Sequence, residues 1–517
     1  MPGGSVPSVE IPPPNGPSRT GWRTTGSSNP SRTGWRTTGS TDRRTTGSSN
    51  PSRTPVHYAQ AMIVMKFGGT SVGVPEHFAV AVRLVRGAAP RDPVVVVSAF
   101  SGVTNLIVEF CRAPERRAEL AERLVERHLE WSRATGVRSD EANALLDVWR
   151  QETSALRGRP DAFAPEERDR LLSFGERLSA AFFAAALRDA GVDAVAVLAG
   201  DAGLVTDERF GAAHPLPESA RQMAESLSRR PPVPIVTGFL GRSADGRITT
   251  LGRGGSDYSA ALIGAALGAD EIQIWTDTSG LLSADPRIVP EARPVPLLSF
   301  AEASELAYFG AKVLHPKTLL PAMDRAIPVR VLNTTRPDDP GSLVTPAAAP
   351  ADSAWRVKSI ASKKSITAIT VASTRMLLAY GFLARVFEVF GRHHVVVDLV
   401  TTSEVSISVT VDDGARLDEA VAELESIGTV EVRRGLAVVA VVGEGAPRRV
   451  GLAGHVFTLL GGVGIPVEMI SQGASRVNLS FAVAEEDADR AVRLLHRGLG
   501  LDLDAAPAPP TTSAARG

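Results

Sequence analysis

The 517-residue sequence predicts an α/β fold on an open, mainly parallel sheet, followed by two smaller α+β units. Three observations carry that prediction. From Met62 to about Val344, short β-branched runs apolar on both faces alternate with amphipathic helical stretches, as in strands covered by helices on both sides. A linker rich in Pro and Ala then leads into a region whose strands alternate, with one apolar face only. In that region the order of elements occurs twice.

Taken in order, residues 1–61 hold a direct repeat, "PSRTGWRTTGSSN" from Pro17, "PSRTGWRTTGS" from Pro30 and a degenerate copy from Arg44. Each unit has little beyond one Trp to bury, which falls short of an ordering cost of roughly 1–2 kcal/mol per residue, so the segment is expected to be disordered. A basic arm for an anionic surface is the functional alternative, and Met62 or Met65 is a candidate natural start. The strand candidates are "MIVMKF" (62–67), "PVVVVSAF" (93–100), "DAVAVL" (193–198), "PIVTGFLG" (234–241), "EIQIW" (271–275) and "PVRVLN" (328–333). Helical patterns such as 168–191 and 256–270 lie between them. The expected division is a catalytic-type domain over 62–345, a linker over 346–358, α+β units over 359–434 and 435–500, and a tail over 501–517. In the first unit Ile407, Val409 and Val411 continue an alternation begun at Val405; Val477, Leu479, Phe481 and Val483 do the same in the second. Such duplicated units belong to ligand sensing, and their sheets can pair side by side.

Composition narrows the function classes. There is no apolar run of about 18 residues and no apolar signal-like segment, so the cytoplasm is the expected compartment, with no membrane partner. Cys111 is the only cysteine and the nine His show no metal-ligand spacing, which removes disulfide and structural-zinc readings. The net charge of −1 divides into +5 for residues 1–61 and −6 for the rest, and a mildly acidic body argues against nucleic acid as the main partner.

Several stretches could carry chemistry. "MIVMKFGGTSVG" lacks the Gly-x-x-x-x-Gly-Lys-Ser/Thr spacing of a P-loop. Its Gly68-Gly69 pair would still let backbone N–H groups approach an anion, with Lys66 as a point charge, although for a glycine pair alone a plain turn is the favoured reading. "VVVVSAFSGVTN" ends a buried strand in Ser98, Ser101, Thr104 and Asn105, where an open sheet places its ligand. Glu176 sits inside an apolar helix and wants a cation, because an unpaired buried carboxylate is costly. "TTLGRGGSDYSAALIGAAL" puts Arg253 and Asp257 in a glycine-rich turn opening onto a helix N-terminus, a setting for an anion or merely for a capped helix. Thr276, Asp277, Asp285 and Arg287 in "IWTDTSGLLSADPR" are turn residues or nucleotide contacts, and "AYFGAKVLHPKTL" adds Lys312.

Together, "KFGGTS", "FGE", "GRGGSD", "WTD…DPR" and "FGAKVLHP" resemble the aspartate kinases of the amino-acid kinase superfamily, from Met62 to about Gly500. The duplicated units look like tandem ACT domains, and "GFLARVF" with "VDLVTTSEVSISVT" resembles the monofunctional, lysine-sensitive form. The residues after 500 are too few for a fused homoserine dehydrogenase. The resemblance implies transfer of the γ-phosphoryl of MgATP to the β-carboxylate of L-aspartate, opening lysine, threonine, methionine and diaminopimelate biosynthesis, with lysine as feedback inhibitor. ATP and Mg2+ are thus the implied cofactors, the metal arriving with the nucleotide. By similarity Lys66 would span the β and γ phosphates, with Gly68, Gly69 and Thr70 lining the transferring group and Asp257 orienting Lys66. Arg253 would take the substrate α-carboxylate, Glu176 its ammonium, and Thr104 with Ser256 the reacting side chain. Ser71, Thr276, Asp277, Arg287, Lys312 and Val313 match ATP contacts. An effector pocket is implied around Met376, Tyr380, Gly381, Asp398 and Ser403, where "MLLAYGF" is less polar than similar enzymes and ordinary core packing is the alternative. Leu282 stands where similar enzymes often carry tyrosine. A homodimer or tetramer joined through ACT sheets is expected. A kinase for another carboxylate, a silent ACT-type sensor, and a nucleic-acid binder using the basic arm are the competing readings.

Overall fold

The structure is a computed structural model describing residues 62–159, 161–228, 232–309, 314, 316–349, 354–373, 380–414, 416–472 and 476–502. The repeat at 1–61, Met376, Lys312 and Val313 lie outside the described residues, with the expectations attached to them.

The first half begins with β1 (Ile63–Phe67), α1 (Gly69–Gly73), α2 (Pro75–Ala88), β2 (Val94–Val97), α3 (Val103–Arg112), α4 (Arg117–Thr135), α5 (Asp140–Leu156) and α6 (Pro165–Asp189). It continues through β3 (Ala194–Val197), β4 (Val205–Thr206), α7 (Ser219–Leu227), β5 (Val233–Thr237), β6 (Leu240–Ser243) and β7 (Ile248–Thr250). Next come α8 (Gly255–Leu267), β8 (Glu271–Thr276), β9 (Leu297–Ser299), α9 (Phe300–Phe309), α10 (Pro316–Asp324), β10 (Val329–Asn333) and β11 (Ser342–Thr345).

Eight of these strands form one sheet in the order β3-β5-β2-β1-β8-β10-β11-β9, parallel from β3 to β10 and antiparallel between β10 and β11. Both faces are covered, which is why the strand runs are apolar throughout. Ile63, Met65 and Phe67 of β1 enter one core with Phe78, Leu124 and Phe183, while Val64 enters the other with Ile263 and Ile272. The chain leaves β1 toward β2 on one side and returns to β8 on the other. A crevice therefore opens at the carboxyl end of β1.

The run 234–241, expected as one strand, is two. Phe239 sits at φ 66° between β5 and β6, and a Cβ on Gly238 would come 2.7 Å from Ser256 Cβ, so the chain must turn where it meets the start of α8. The short strands β4, β7, β9 and β11 had no counterpart among the expected elements.

The second half runs β12 (Ser359–Ala372), α11 (Phe382–Arg392), β13 (Val397–Thr402), β14 (Ser406–Asp412), α12 (Leu417–Leu424), β15 (Thr429–Val442), α13 (Leu452–Gly462), β16 (Met469–Ser471), β17 (Asn478–Ala484) and α14 (Glu485–Gly498). Its six strands form one antiparallel sheet, β13-β14-β12-β15-β17-β16. β12 and β15 are long enough to serve both repeats: β14 pairs with Ile366–Ala372, whereas β17 pairs with Leu436–Val442, the segment opposite the first residues of β12. Ile407, Val409 and Val411 are buried as the alternation requires, but Val405 is exposed because the turn precedes the ladder. The second repeat departs from one-faced burial. Leu479, Phe481 and Val483 pack on α13 and α14, and Ala482 on the opposite face is buried too, in the core that includes Phe300 and Leu306 of α9. Among the described residues, no helix is long and apolar enough to cross a membrane.

Candidate active site

Five segments converge on a cleft of about 410 Å³ at the carboxyl ends of β1 and β2. Lys66, the penultimate residue of β1, is almost buried, and its ammonium lies 2.6 Å from Asp257 Oδ1 in the first turn of α8. Gly68 continues from the strand with its N–H donating to Trp275 O at 3.0 Å. The two glycines have different reasons. A Cβ on Gly69 would lie 2.8 Å from Ala99 O, so that position is required by the approach of α1 to the end of β2; one on Gly68 would meet only ordinary contacts. The Gly68 N–H is committed to Trp275 O, and the backbone N–H groups left to face an incoming anion are those of Gly69 and Thr70 at the start of α1.

Glu176 is 3 % exposed on α6. Its Oε1 accepts a hydrogen bond from Ala99 N–H at 3.1 Å, its Oε2 has no partner among the described residues, and burial pushes its carboxyl up to about 8. The neighbouring Gly175 makes this possible, since a Cβ there would come 2.7 Å from Ala99 Cβ and hold the helix off the strand. Arg253 follows Gly252 (φ 78°) and precedes Gly254 (φ 71°), which caps α8. Its side chain is exposed to the cleft and unpaired among the described residues. Ser98, Ser101, Thr104, Asn105 and Ser256 supply hydroxyl and amide groups along the wall, and Phe239 closes one side.

The remaining sequence-derived positions lie around this centre in different states. Thr70 belongs to α1, and Ser71 beside it is buried, its hydroxyl 2.7 Å from Thr334 Oγ1 and 3.3 Å from Trp275 O. Thr276 and Asp277 stand at the carboxyl end of β8, with Thr276 Oγ1 donating to Asp277 Oδ1 at 3.3 Å. Arg287 is exposed and paired with its own neighbour Asp285. Leu282 forms an isolated bridge with Pro294.

The effector candidates are placed less compactly. Tyr380 is fully exposed and Gly381 caps α11 at φ 77°. Ser403 closes the β13–β14 turn by accepting from Ser406 N–H at 3.1 Å. Asp398 on β13 is engaged from two sides. Tyr308 Oη of α9 donates to its Oδ1 and Lys363 Nζ of β12 to its Oδ2 at 3.0 Å. Burial, and then the nearby Asp412 carboxylate, push Asp398 up to about 7, and Lys363 Nζ also lies 2.7 Å from Asp412 Oδ1. Sequence reading overlooked Tyr308, Lys363 and Phe239, which reach these sites from distant elements. It also overlooked Asp169, whose position seven residues before Glu176 on the same apolar helix was a usable signal.

The cleft therefore offers one end with Lys66, Asp257 and bare backbone N–H groups, suited to a phosphate. The other end offers an unpaired carboxylate and an unpaired guanidinium, suited to a zwitterion.

Comparison with known proteins gives matches of the same kind. Residues 61–333 match the amino acid kinase family, and residues 369–426 and 439–499 match the ACT domain. Aspartokinase 1, chloroplastic, of Arabidopsis thaliana is 39% identical over 84% of this chain and 79% of its own length. The crystal structure of E. coli aspartokinase III with aspartate and ADP, in the R-state, superposes with a TM-score of 0.74 at 36% identity, covering 85% of this chain and 99% of that one. The same enzyme with lysine and aspartate, in the T-state, covers the same shares at 36% identity with a TM-score of 0.67.

Proposed function

The chain belongs to the amino acid kinase family, as an aspartokinase that transfers a phosphoryl group from ATP to aspartate, and on that premise we propose how its residues divide the work. The observation that carries the proposal is the cleft with two unlike ends, Lys66–Asp257 at one and Glu176 with Arg253 at the other. Arg253 takes the α-carboxylate of aspartate and Glu176 its ammonium, which supplies the cation this buried carboxylate lacks. Thr104 and Ser256 then hold the β-carboxylate toward Lys66. That nucleophile, with an ordinary pKa of about 3.9, is already ionised near neutral pH and needs no general base. Catalysis reduces to alignment and charge neutralisation. Lys66, oriented by Asp257, offsets charge on the transferring phosphoryl, and Gly68 lines it with the N–H groups of Gly69 and Thr70. Ser71, Thr276, Asp277, Arg287, Lys312 and Val313 make up the nucleotide side of the reading.

Among the described residues no cluster of three His, Cys, Asp or Glu could hold a metal by itself. A lone Asp257 beside the phosphate end suits Mg2+ arriving on ATP, held by phosphate oxygens and one or two carboxylates. Bound there, the ion would neutralise phosphate charge.

Residues 62–345 form the catalytic domain in this reading, with 359–434 and 435–500 as regulatory units. Lysine is the inhibitor, its ammonium competing with Lys363 for Asp398. The lysine-bound E. coli relative supports that choice. Exposed Leu383 and Phe387 on α11, with Val400 and Val405, supply an apolar surface for self-association through the first unit. The setting is cytoplasmic, where both reactants are free metabolites.

The test is Lys66→Ala and Asp257→Ala, assayed by hydroxylamine trapping of the acyl phosphate formed with ATP and aspartate. Each should fold, by circular dichroism, and lose activity by about 10³-fold or more. Retained turnover in either would sink the assignment, and faster trapping with glutamate than with aspartate in wild type would favour a different carboxylate.

A further inference from the structure

We infer that Asp169 is a positioning residue for aspartate recognition, fixing Arg253 relative to Glu176 through the end of β7. The inference rests on the reading of Arg253 and Glu176 given above. Asp169 is 1 % exposed near the start of α6, and its carboxylate is bound on three sides. Oδ2 accepts from Thr250 N–H at 2.7 Å and from Gly211 N–H at 2.9 Å, and Oδ1 accepts from the Thr250 hydroxyl at 2.9 Å. Charge-assisted bonds of this kind are the stronger class, and here all three go to segments distant in sequence.

The consequence lies in what each partner carries. Asp169 and Glu176 are seven residues apart on one helix, two turns, and so share a face. Thr250 is the last residue of β7, three residues before Arg253. The carboxylate therefore fastens the backbone that presents the guanidinium to the helix that presents the ammonium-binding group. Further contacts tighten the same junction. Ala213 N–H donates to Thr250 O at 2.9 Å, Leu251 N–H to Phe239 O at 2.9 Å, and a Cβ on Gly252 would come 3.2 Å from Gly211 O. Because the Arg253 side chain has no partner among the described residues, its aim depends on this backbone. The phosphate end has ties of its own besides: α8 is held by Ser259 Oγ, which accepts from Phe239 N–H at 3.0 Å, and by the Lys66–Asp257 pair, neither of which involves Asp169.

A positioning role and a purely structural one separate in the kinetics. Asp169→Asn keeps the shape and lets the amide oxygen retain both backbone donors with its N–H₂ on the Thr250 hydroxyl, but removes the charge that strengthens all three bonds. It should raise the aspartate KM by about tenfold while the ATP KM stays within about twofold, since a small misplacement weakens only the contacts it moves. Thr250→Val removes the hydroxyl donor alone and should shift the aspartate KM in the same direction by less. If Asp169→Asn does not fold, Thr250→Val decides the matter. Folded variants with an unchanged aspartate KM, or with both KM values raised equally, would overturn the inference. Arg253→Ala serves as the benchmark: a raised aspartate KM there with none in the Asp169 and Thr250 variants defeats the positioning role alone. An unchanged one in Arg253→Ala defeats the reading it rests on as well.

Discussion

At the scale of single residues, the sequence exposed groups whose chemistry conflicts with their surroundings. Glu176 was legible because a carboxylate in the apolar stretch "LLSFGERLSAAF" demands an explanation, and Arg253 because glycines flank it. Asp398 was legible only as a name, since its partners Tyr308 and Lys363 come from α9 and β12. The conflict at Glu176 has a thermodynamic consequence. Its carboxyl stands at about 8 in the folded protein against an ordinary 4.5, so between these values the folded state holds a proton that the unfolded state has released. Stability contributed by the neutral form is complete below about pH 4.5 and is lost as pH rises toward about 8. Wild type should therefore lose thermal stability between about pH 5 and 8 more steeply than Glu176→Gln, which cannot ionise. Saturating aspartate at pH 8 should raise the wild-type Tm and leave that of Glu176→Gln little changed. Parallel Tm profiles for the two proteins would show that Glu176 does not titrate in this window.

Among elements, long strands and helices follow from periodicity, while β4, β7, β9 and β11, of two to four residues, are too short to show any. Pairing of β12 with β15 along their whole length was hidden for another reason, because nothing local reveals that one strand serves two repeats. The least visible element in function is α9. Phe300, Ala303, Leu306 and Phe309 share a core with Leu436, Val438, Ala440 and Val442 of β15, so α9 joins the catalytic half to the regulatory sheet. Within this apolar contact lies a buried ion pair, Glu302 Oε2 to Lys358 Nζ at 2.8 Å. Glu302 also accepts from Ser299 N–H at 2.7 Å and, through Oε1, from Glu444 N–H at 2.6 Å. Removing one partner strands the other charge in a dry interface. Glu302→Ala should cost about 3–5 kcal/mol in urea unfolding, whereas Glu302→Leu with Lys358→Met should cost less than either single change. Equal or larger loss in the double variant would mean that the pair is worth more than its desolvation.

For the whole molecule, regulation requires two arrangements that an effector tells apart. The contacts between the two halves are the ones that a second arrangement would remake. Tyr308 to Asp398 is such a contact, binding α9 to β13 through a carboxylate that also faces Lys363. On the proposal that a lysine effector takes Asp398, its ammonium competes with Tyr308 on Oδ1 as well as with Lys363 on Oδ2, so loss of the Tyr308 bond would leave that carboxylate easier to capture. Tyr308→Phe removes the hydroxyl and leaves the ring packed against Phe309. Since a hydrogen bond to a charged group contributes about 1.5–3 kcal/mol, part of which water returns, the half-inhibiting lysine concentration should fall by about three- to tenfold. Turnover without lysine should change little, because Tyr308 is outside the cleft. The measurement is a lysine titration of aspartate phosphorylation in both proteins. A variant that needs more lysine than wild type would place the bond on the inhibited side, and an unchanged titration would remove it from the regulatory path. A wild type indifferent to lysine would remove lysine as the effector while leaving the phosphotransfer site intact.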